Sequence, residues 1–139
     1  MTAPIREIFS WMVSTLQADA EMISLGFTKV FAYKAPEDFT FPYVILEKQS
    51  GAHSYNFGVE SFNRHWITVK SVHLGTDGGD LGRRAQDRIR ELLSNKRPSL
   101  TEGYTMMVRA NTDYEYVEAE AGNFQFYPIG TVYFVQLSG

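Results

Sequence analysis

The chain has 139 residues, a hydrophobic share of 44%, an aromatic share of 14% and a formal net charge of −3. This length fits a single domain, residues 1–139, with enough apolar material to bury a core. The sequence contains no cysteine, which excludes disulfides, thiolate metal sites and cysteine nucleophiles, and its negative charge disfavours a protein that coats nucleic acid.

The first 25 residues carry apolar side chains largely at helical spacing. This pattern predicts a helix with Pro4 in its first turn, a break between Thr15 and Asp19, and an end at Gly26. Charged residues interrupt the segment, so it lacks the pattern of a signal peptide. The sequence contains no stretch of about 18 apolar residues, so we expect no membrane span. We therefore expect a soluble protein made in the cytoplasm that has no membrane partner.

Strand patterns follow the helix. Residues 29–34 predict a short strand, and stronger strands begin at Tyr43 and Arg64. Residues 52–63 between them are polar and contain glycine, which predicts a long hairpin connection or a mobile loop. Tyr55, Phe57 and Phe62 lie in this segment, where aromatic side chains either cover the domain's own core or become ordered against a partner protein.

The stretch GTDGGD, residues 75–80, separates a strand from an amphipathic helix over about residues 80–94. It fits neither a P-loop nor a dinucleotide fingerprint, because no lysine follows and no G-x-G occurs. The carboxylates of Asp77 and Asp80 would also repel a phosphate. We expect a structural turn in which Asp77 or Asp80 caps the helix.

The helix after this turn has an apolar stripe that suits packing on a sheet. The stripe consists of Leu81, Ala85, Ile89, Leu92 and Leu93. Four arginines point to other faces: Arg83, Arg84, Arg88 and Arg90. They either form a solvated face or meet an acidic segment of a neighbouring copy. That segment carries Asp113, Glu115, Glu118 and Glu120, and such a head-to-tail contact closes into a ring when the rotation allows.

Catalytic and metal-binding patterns are weak in this sequence. His65 and His73 lie eight positions apart in one predicted strand, too distant to share a metal ion, and His53 sits in the preceding loop. The four carboxylates of the acidic segment have no partner motif, and no serine occupies a G-x-S-x-G elbow. We expect a protein that is not an enzyme and has no catalytic residue, cofactor or metal.

The predicted elements follow the order helix, strand, strand, strand, helix, strands. Strands in hairpin-like succession favour the α+β class. We expect a largely antiparallel sheet with the N-terminal helix and the second, amphipathic helix packed on one of its faces.

Three segments carry a family resemblance: KAPEDFTFPYVILEKQSG, RHWITVKSVHLGTDGGDLGRRAQDRIRELL and NTDYEYVEAEAGNFQFYPIGTVYFVQLS. In their order they resemble the tail-completion, or tail-to-head joining (tail terminator), proteins of long-tailed bacteriophages. The resemblance implies a virion protein of the neck, assembled in the host bacterial cytoplasm, that forms a commonly hexameric ring. The ring's partners would be the tail tube protein and a head-completion or connector protein, with DNA passing through the lumen without specific binding.

Two alternatives to the tail terminator remain open from the residues. One is another neck or minor tail component, such as a head-closure subunit. The other is a small-ligand binding or metal-dependent hydrolytic domain that uses the acidic segment 113–120.

Overall fold

The computed structural model describes residues 4–33, 42–56, 59–75, 79–100, 105–115, 120–121 and 124–138. The helices are α1 (Pro4–Gln17), α2 (Ala20–Ser24) and α3 (Asp80–Leu93). The strands are β1 (Val30–Ala32), β2 (Tyr43–Asn56), β3 (Val59–Gly75), β4 (Thr105–Glu115), β5 (Glu120–Ala121) and β6 (Phe124–Ser138). The predicted α+β class is confirmed.

The strands form one sheet in the order β1-β2-β3-β6-β4, with β5 paired to β6. Every strand pair is antiparallel except β1 with β2, which run parallel.

The core lies on one face of this sheet, which we call the helix face. Alternate strand residues point toward it, so Ile67 and Val69 of β3 are fully buried. Helix residues that complete this core include Ile8, Met12, Leu16, Ala85, Ile89 and Leu93. The opposite face, which we call the far face, carries Trp66, Thr68 and Phe134 by the same alternation, and its buried Ile45, Val72 and Val132 stand outside the core cluster.

The predicted break in the N-terminal helix is present between α1 and α2. Asp19 is the N-cap of α2, and its carboxylate accepts a hydrogen bond from the Met22 amide at 3.0 Å. The helix ends at Ser24 with Leu25 as its C-cap, and Gly26 follows with φ +92°, a conformation that favours glycine after a helix end. The predicted stop at Gly26 is confirmed.

The predicted cap of α3 is wrong for Asp80. The N-cap is Gly79, which has φ +91° and makes no side-chain cap hydrogen bond. The turn needs a left-handed residue directly before the helix, and glycine adopts that conformation without a Cβ penalty. Asp80 is the first helical residue, where its charge faces the positive end of the helix; Asp77 lies outside the described residues.

The predicted loop over residues 52–63 is strand where the structure describes it. β2 and β3 stay paired from Tyr43↔Val72 to Asn56↔Val59, with register shifts near Gln49 and between Ser54 and Tyr55. The polar sequence does not prevent this, because the backbone ladder extends from two strands whose register is already set by their buried residues. Tyr55 lies in β2 and Phe62 in β3; Phe57 lies outside the described residues.

Candidate interaction surfaces

Helix α3 approaches the sheet closely at Gly82. A Cβ atom at this position would lie 2.8 Å from Cδ1 of Ile129 and 3.1 Å from Cε1 and Nδ1 of His73. Both distances are shorter than ordinary van der Waals contact. The absence of a side chain at Gly82 therefore sets the spacing between the first turn of α3 and strands β3 and β6.

One turn further along α3, Gln86 is 4% exposed and makes a buried hydrogen-bond network. Its side-chain Nε2 donates to the carbonyl oxygen of Ile129 at 2.8 Å and lies 3.2 Å from Oγ of Ser71 and 3.3 Å from the carbonyl oxygen of Val69. Ser71 Oγ lies 3.2 Å from the same Ile129 oxygen. A buried amide is tolerated here because it has these partners, and they fix α3 in register with β3 and β6.

The network continues to the surface through Thr131 and Asp113, which face each other on β6 and β4. Thr131 Oγ1 donates to Oδ1 of Asp113 at 2.8 Å and lies 3.3 Å from Oε1 of Gln86. Arg90 of α3 donates to the same Asp113 oxygen. Burial raises the pKa of the neighbouring Tyr133 phenol, so this hydroxyl stays neutral. The groove here, about 460 Å³, also reaches Arg83 and Asp87.

Arg88 connects α3 to α2. It donates to Asp19 through Nε at 3.0 Å and Nη2 at 2.6 Å, and it also pairs with Glu21 and Glu91. The hydrogen bonds that Arg88 donates to the carboxylates of Asp19 and Glu91 raise the pKa of Arg88. The hydrogen bond from Arg88 lowers the pKa of Asp19. The guanidinium is therefore engaged within the chain.

The predicted interface residues fall into separate groups. Arg83 and Arg84 are exposed on α3, and Arg88 and Arg90 are half-buried. Arg88 pairs with Asp19 and Arg90 with Asp113 of the same chain. Of the acidic segment, Asp113 meets Arg90, Glu115 lies in β4 and Glu120 in β5. Glu118 lies outside the described residues. The structure thus brings one predicted arginine and one predicted carboxylate together inside a single copy.

A second surface lies on the far face at its β4 edge. We call it the aromatic hollow; it has a volume of about 610 Å³ and is lined by Trp66, Ser94, Asn95, Arg109, Ala110, Asn111 and Phe134. The rings of Trp66 and Phe134 are half-buried, with centroids 5.3 Å apart. Arg109 is exposed and stands opposite Phe134 on β4. Aromatic rings beside an arginine are typical of protein interfaces.

Sequence reasoning missed three features of these surfaces. Gly82 and Gln86 interrupt the apolar stripe of α3, yet both are buried. Gly82 lies three residues before Ala85 and Gln86 three residues before Ile89, so helical spacing alone places both on the sheet-facing side. The aromatic hollow joins Trp66, Phe134 and Arg109 through strand register, and no sequence pattern predicted that β6 would lie between β3 and β4.

In the part of the chain that the structure describes, no three metal-ligating side chains of His, Asp or Glu lie together. None of the described helices is long and apolar enough to cross a membrane.

Comparison with known proteins identifies the fold. No protein-family model matches the sequence, and no curated protein matches it significantly. A chain from the virion of the native gene transfer agent particle shares the fold with a TM-score of 0.83 and 16% sequence identity, and the match covers 100% of both chains. A second solved structure, whose name describes no role, matches with a TM-score of 0.54 and 16% identity over 94% of this chain and 88% of its own. At such identities the likeness establishes the fold.

Proposed function

We propose that this chain is a structural protein of a phage-like virion, and specifically a tail terminator subunit of the neck. In this role a ring of copies, taken as a hexamer, caps the tail tube and joins it to the head through a connector protein. The observation that carries the proposal is the end-to-end match with a chain of the gene transfer agent virion. The match covers 100% of both chains, and this full coverage supports a virion role for this chain.

The sheet and α3 supply the rigid body that such a ring needs. Gln86 and Arg90 fix α3 to β6 and β4 from within the chain. We place the proposed contact between subunits at Arg83 and Arg84, because they are exposed and Arg88 and Arg90 are half-buried. Glu115, Glu118 and Glu120 of the next copy would be their partners. Because these charges lie at a surface, they would chiefly set register and choice of partner rather than affinity.

Two further contacts complete the proposed assembly. The hairpin segment that carries Tyr55, Phe57 and Phe62 would meet a partner protein of the neck. DNA would pass through the lumen without specific binding, which agrees with a net charge of −3, since like charge keeps DNA from adhering.

The hydrolytic alternative lacks a supporting observation. Of the four carboxylates in the acidic segment 113–120, the structure describes the side chain of Asp113. This carboxylate accepts hydrogen bonds from Arg90 and Thr131, so it is already engaged. The other alternative, a different neck or minor tail component, would be equally consistent with the match to the gene transfer agent virion. The location of the protein in the particle distinguishes this alternative from a tail terminator.

Binding to purified tail tubes tests the proposal. Tubes that lack their head-proximal cap are incubated with the protein and imaged by electron microscopy, with the Arg83→Glu, Arg84→Glu double variant alongside. We expect a ring at one end of each tube and at least a tenfold loss of occupancy in the variant. An Arg97→Glu variant, altered at an exposed position outside α3, is the matched control. Bare tube ends at saturating protein would contradict the proposal.

A further inference from the structure

We propose that the outer edge of β4 pairs with the outer edge of β1 from a neighbouring copy of this chain, so that the sheets of adjacent subunits join. This inference rests on the proposed function, because a ring supplies the neighbour. β1 and β4 are the two ends of the strand order, with β2, β3 and β6 between them. An edge strand presents a row of main-chain N–H and C=O groups, which is a template for pairing with another chain.

The first half of the β4 edge is covered within the chain by residues 95–99. The amide of Asn95 donates to the carbonyl oxygen of Val108 at 2.7 Å, and the amide of Val108 donates to the carbonyl oxygen of Lys96 at 3.0 Å. Both main-chain groups of Val108 therefore point away from β6. This cover stops short of the second half of the strand.

The second half begins at the bulge between Ala110 and Thr112. Along a strand, the direction of the main-chain groups alternates from residue to residue. Residues opposite every second position of β6 share one direction, and they include Val108, Asp113 and Glu115, opposite Val135, Thr131 and Ile129. The N–H and C=O groups of Asp113 and Glu115 thus point outward as well, and no other described strand pairs with them.

β1 offers an edge of the same kind. The amide of Tyr33 donates to the carbonyl oxygen of Leu46 at 2.7 Å, so the main-chain N–H of Tyr33 faces β2. Alternation then directs the main-chain groups of Val30 and Ala32 away from β2. In the described part of the chain, no strand pairs with this side of β1.

The two edges also match in position. The register of the sheet forms two rows that join them, namely Ala32, Leu46, Val69, Thr131 and Asp113, and Val30, Val44, Ser71, Ile129 and Glu115. The strand pairings make β1 antiparallel to β4, so a neighbour in the same orientation presents an antiparallel partner. Ala32 would stand opposite Asp113 and Val30 opposite Glu115, and each pair would exchange two main-chain hydrogen bonds.

An exposed aromatic side chain lies beside this edge of β1. Tyr33 directly follows Ala32, is 54% exposed and contacts Phe9 of α1 with ring centroids 5.1 Å apart. In the proposed register Tyr33 would lie next to Thr112, which is exposed on β4. Tyrosine is enriched in protein interfaces, so Tyr33 would add apolar contact to the main-chain hydrogen bonds.

The pairing agrees with the proposed contact between arginines and the acidic segment. α1 packs on β1, whereas α3 packs on β3, β6 and β4. Arg88 links α3 to α2, which contacts α1, and Arg84 lies one helical turn before Arg88 on the same side of α3. The side of the subunit that carries β1 therefore also carries Arg84, and the acidic segment 113–120 of the neighbour begins on its β4 edge.

The contact has to form between copies. Four strand spacings separate β1 from β4, a width of about 19 Å, so the two edges of one sheet do not meet. They are unlike surfaces, and a contact between unlike surfaces repeats head-to-tail and closes into a ring when the rotation allows.

A proline on the β1 edge tests the main-chain hydrogen bonds. Ala32→Pro removes the outward N–H of β1 and no donor of the β1–β2 ladder, which is where edge strands tolerate proline. On tail tubes we expect ring occupancy to fall about tenfold, which corresponds to about 1.4 kcal/mol. Ala32→Val keeps the N–H and is the matched control, with occupancy equal to that of the natural chain. Equal occupancy for Ala32→Pro, with its circular dichroism unchanged, would overturn the inference.

Cross-linking gives a readout that needs no proline. The chain has no cysteine, so Ala32→Cys and Thr112→Cys, both at exposed positions, mark the two edges. On tail tubes, a bis-maleimide with a reach shorter than the width of one sheet should convert rings of the double variant into a ladder of covalent multimers. Thr105→Cys in place of Thr112→Cys lies on the covered half of β4 and should give no ladder.

The single variants separate the proposed pairing from two-fold pairings. Each joint of the ring contains one position 32 and one position 112, so either single variant should stay monomeric after cross-linking. Covalent dimers of Thr112→Cys alone would show two β4 edges together, and dimers of Ala32→Cys alone would show two β1 edges; either result would overturn the inference. Rings on tail tubes that give no ladder in the double variant would overturn it too and leave the proposed function intact. Bare tube ends with the natural chain would overturn both.

Discussion

The guanidinium of Arg88 and the carboxylate of Asp19 form a two-point contact, with Nε 3.0 Å from Oδ2 and Nη2 2.6 Å from Oδ1. The same carboxylate caps α2 by accepting from the Met22 amide. The side chain of Asp19 thus caps the start of α2 and also links α2 to α3. The side chain of Asp19 is only 9% exposed, so this contact is shielded from solvent more than an ordinary surface ion pair.

Replacement of Asp19 separates its two roles. Asp19→Ala removes the cap and the ion pair and should lower the free energy of unfolding by about 2 kcal/mol. Asp19→Asn keeps a good N-cap but loses the charge, and it should cost about 1 kcal/mol. Urea denaturation followed by circular dichroism measures both. Equal losses in the two variants would show that the ion pair, and not the cap, carries the stabilisation.

The same contact has a pH dependence. Hydrogen bonding from Arg88 lowers the pKa of Asp19 below its ordinary value, which is about 3.9 in an unfolded chain. A carboxyl group whose pKa is lower in the folded state stabilises the protein fully above the unfolded value, and this contribution is lost as the pH falls through the folded value. The stability difference between the natural chain and Asp19→Asn should therefore stay constant from pH 7 to about 5 and shrink below about 4. A difference that grows on acidification would contradict this assignment.

Gln86 should be the polar residue of α3 whose loss costs most. Gln86→Met keeps the length of the side chain but removes the donor to the Ile129 carbonyl oxygen, which leaves a buried acceptor with fewer partners. We expect a loss of about 1–3 kcal/mol in the free energy of unfolding. The control is Gln17→Met, at an exposed position near the end of α1, which should change stability by less than about 0.5 kcal/mol. Similar values for the two variants would refute the role of the network.

Gly82→Ala tests the close approach of α3 to the sheet. Alanine gains about 1 kcal/mol in helix propensity, but its Cβ would meet Ile129 Cδ1 at 2.8 Å, and overpacking costs about 1–3 kcal/mol. We expect a net loss. Ile129→Val removes the contacting methyl group, so Gly82→Ala should cost less in that background. Stabilisation by Gly82→Ala in the natural background would show that the contact is easily relieved.

Sequence patterns predicted the parts of the fold that depend on local chemistry. The break before Asp19, the stop at Gly26 and the packing of both long helices on one face follow from capping residues and apolar spacing. The residue that caps α3 did not follow from them. Asp80 has good capping chemistry, but the left-handed turn at Gly79 shifts it into the helix.

Features that depend on long-range pairing lay beyond the sequence patterns. Residues 52–56 and 59–63 look like a loop by composition, yet the β2–β3 ladder continues through their described part. The ion pairs of Arg88 and Arg90 join residues 69 and 23 positions apart, and sequence spacing predicts only pairs within one turn of a helix. A buried glutamine likewise resembles a surface residue until the groups around it are known.

The location of the protein in assembled particles tests the central proposal most directly. The gene for this chain is deleted from the element that encodes it, and the particles are imaged by cryo-electron microscopy beside particles that carry the natural chain. We predict a ring of this chain at the head-proximal end of the tail tube in the natural particles. In the deletion, we predict tubes of uncontrolled length or tails that fail to join heads. Normal tails joined to heads in the deletion, or density for the chain at any other position in the particle, would contradict it.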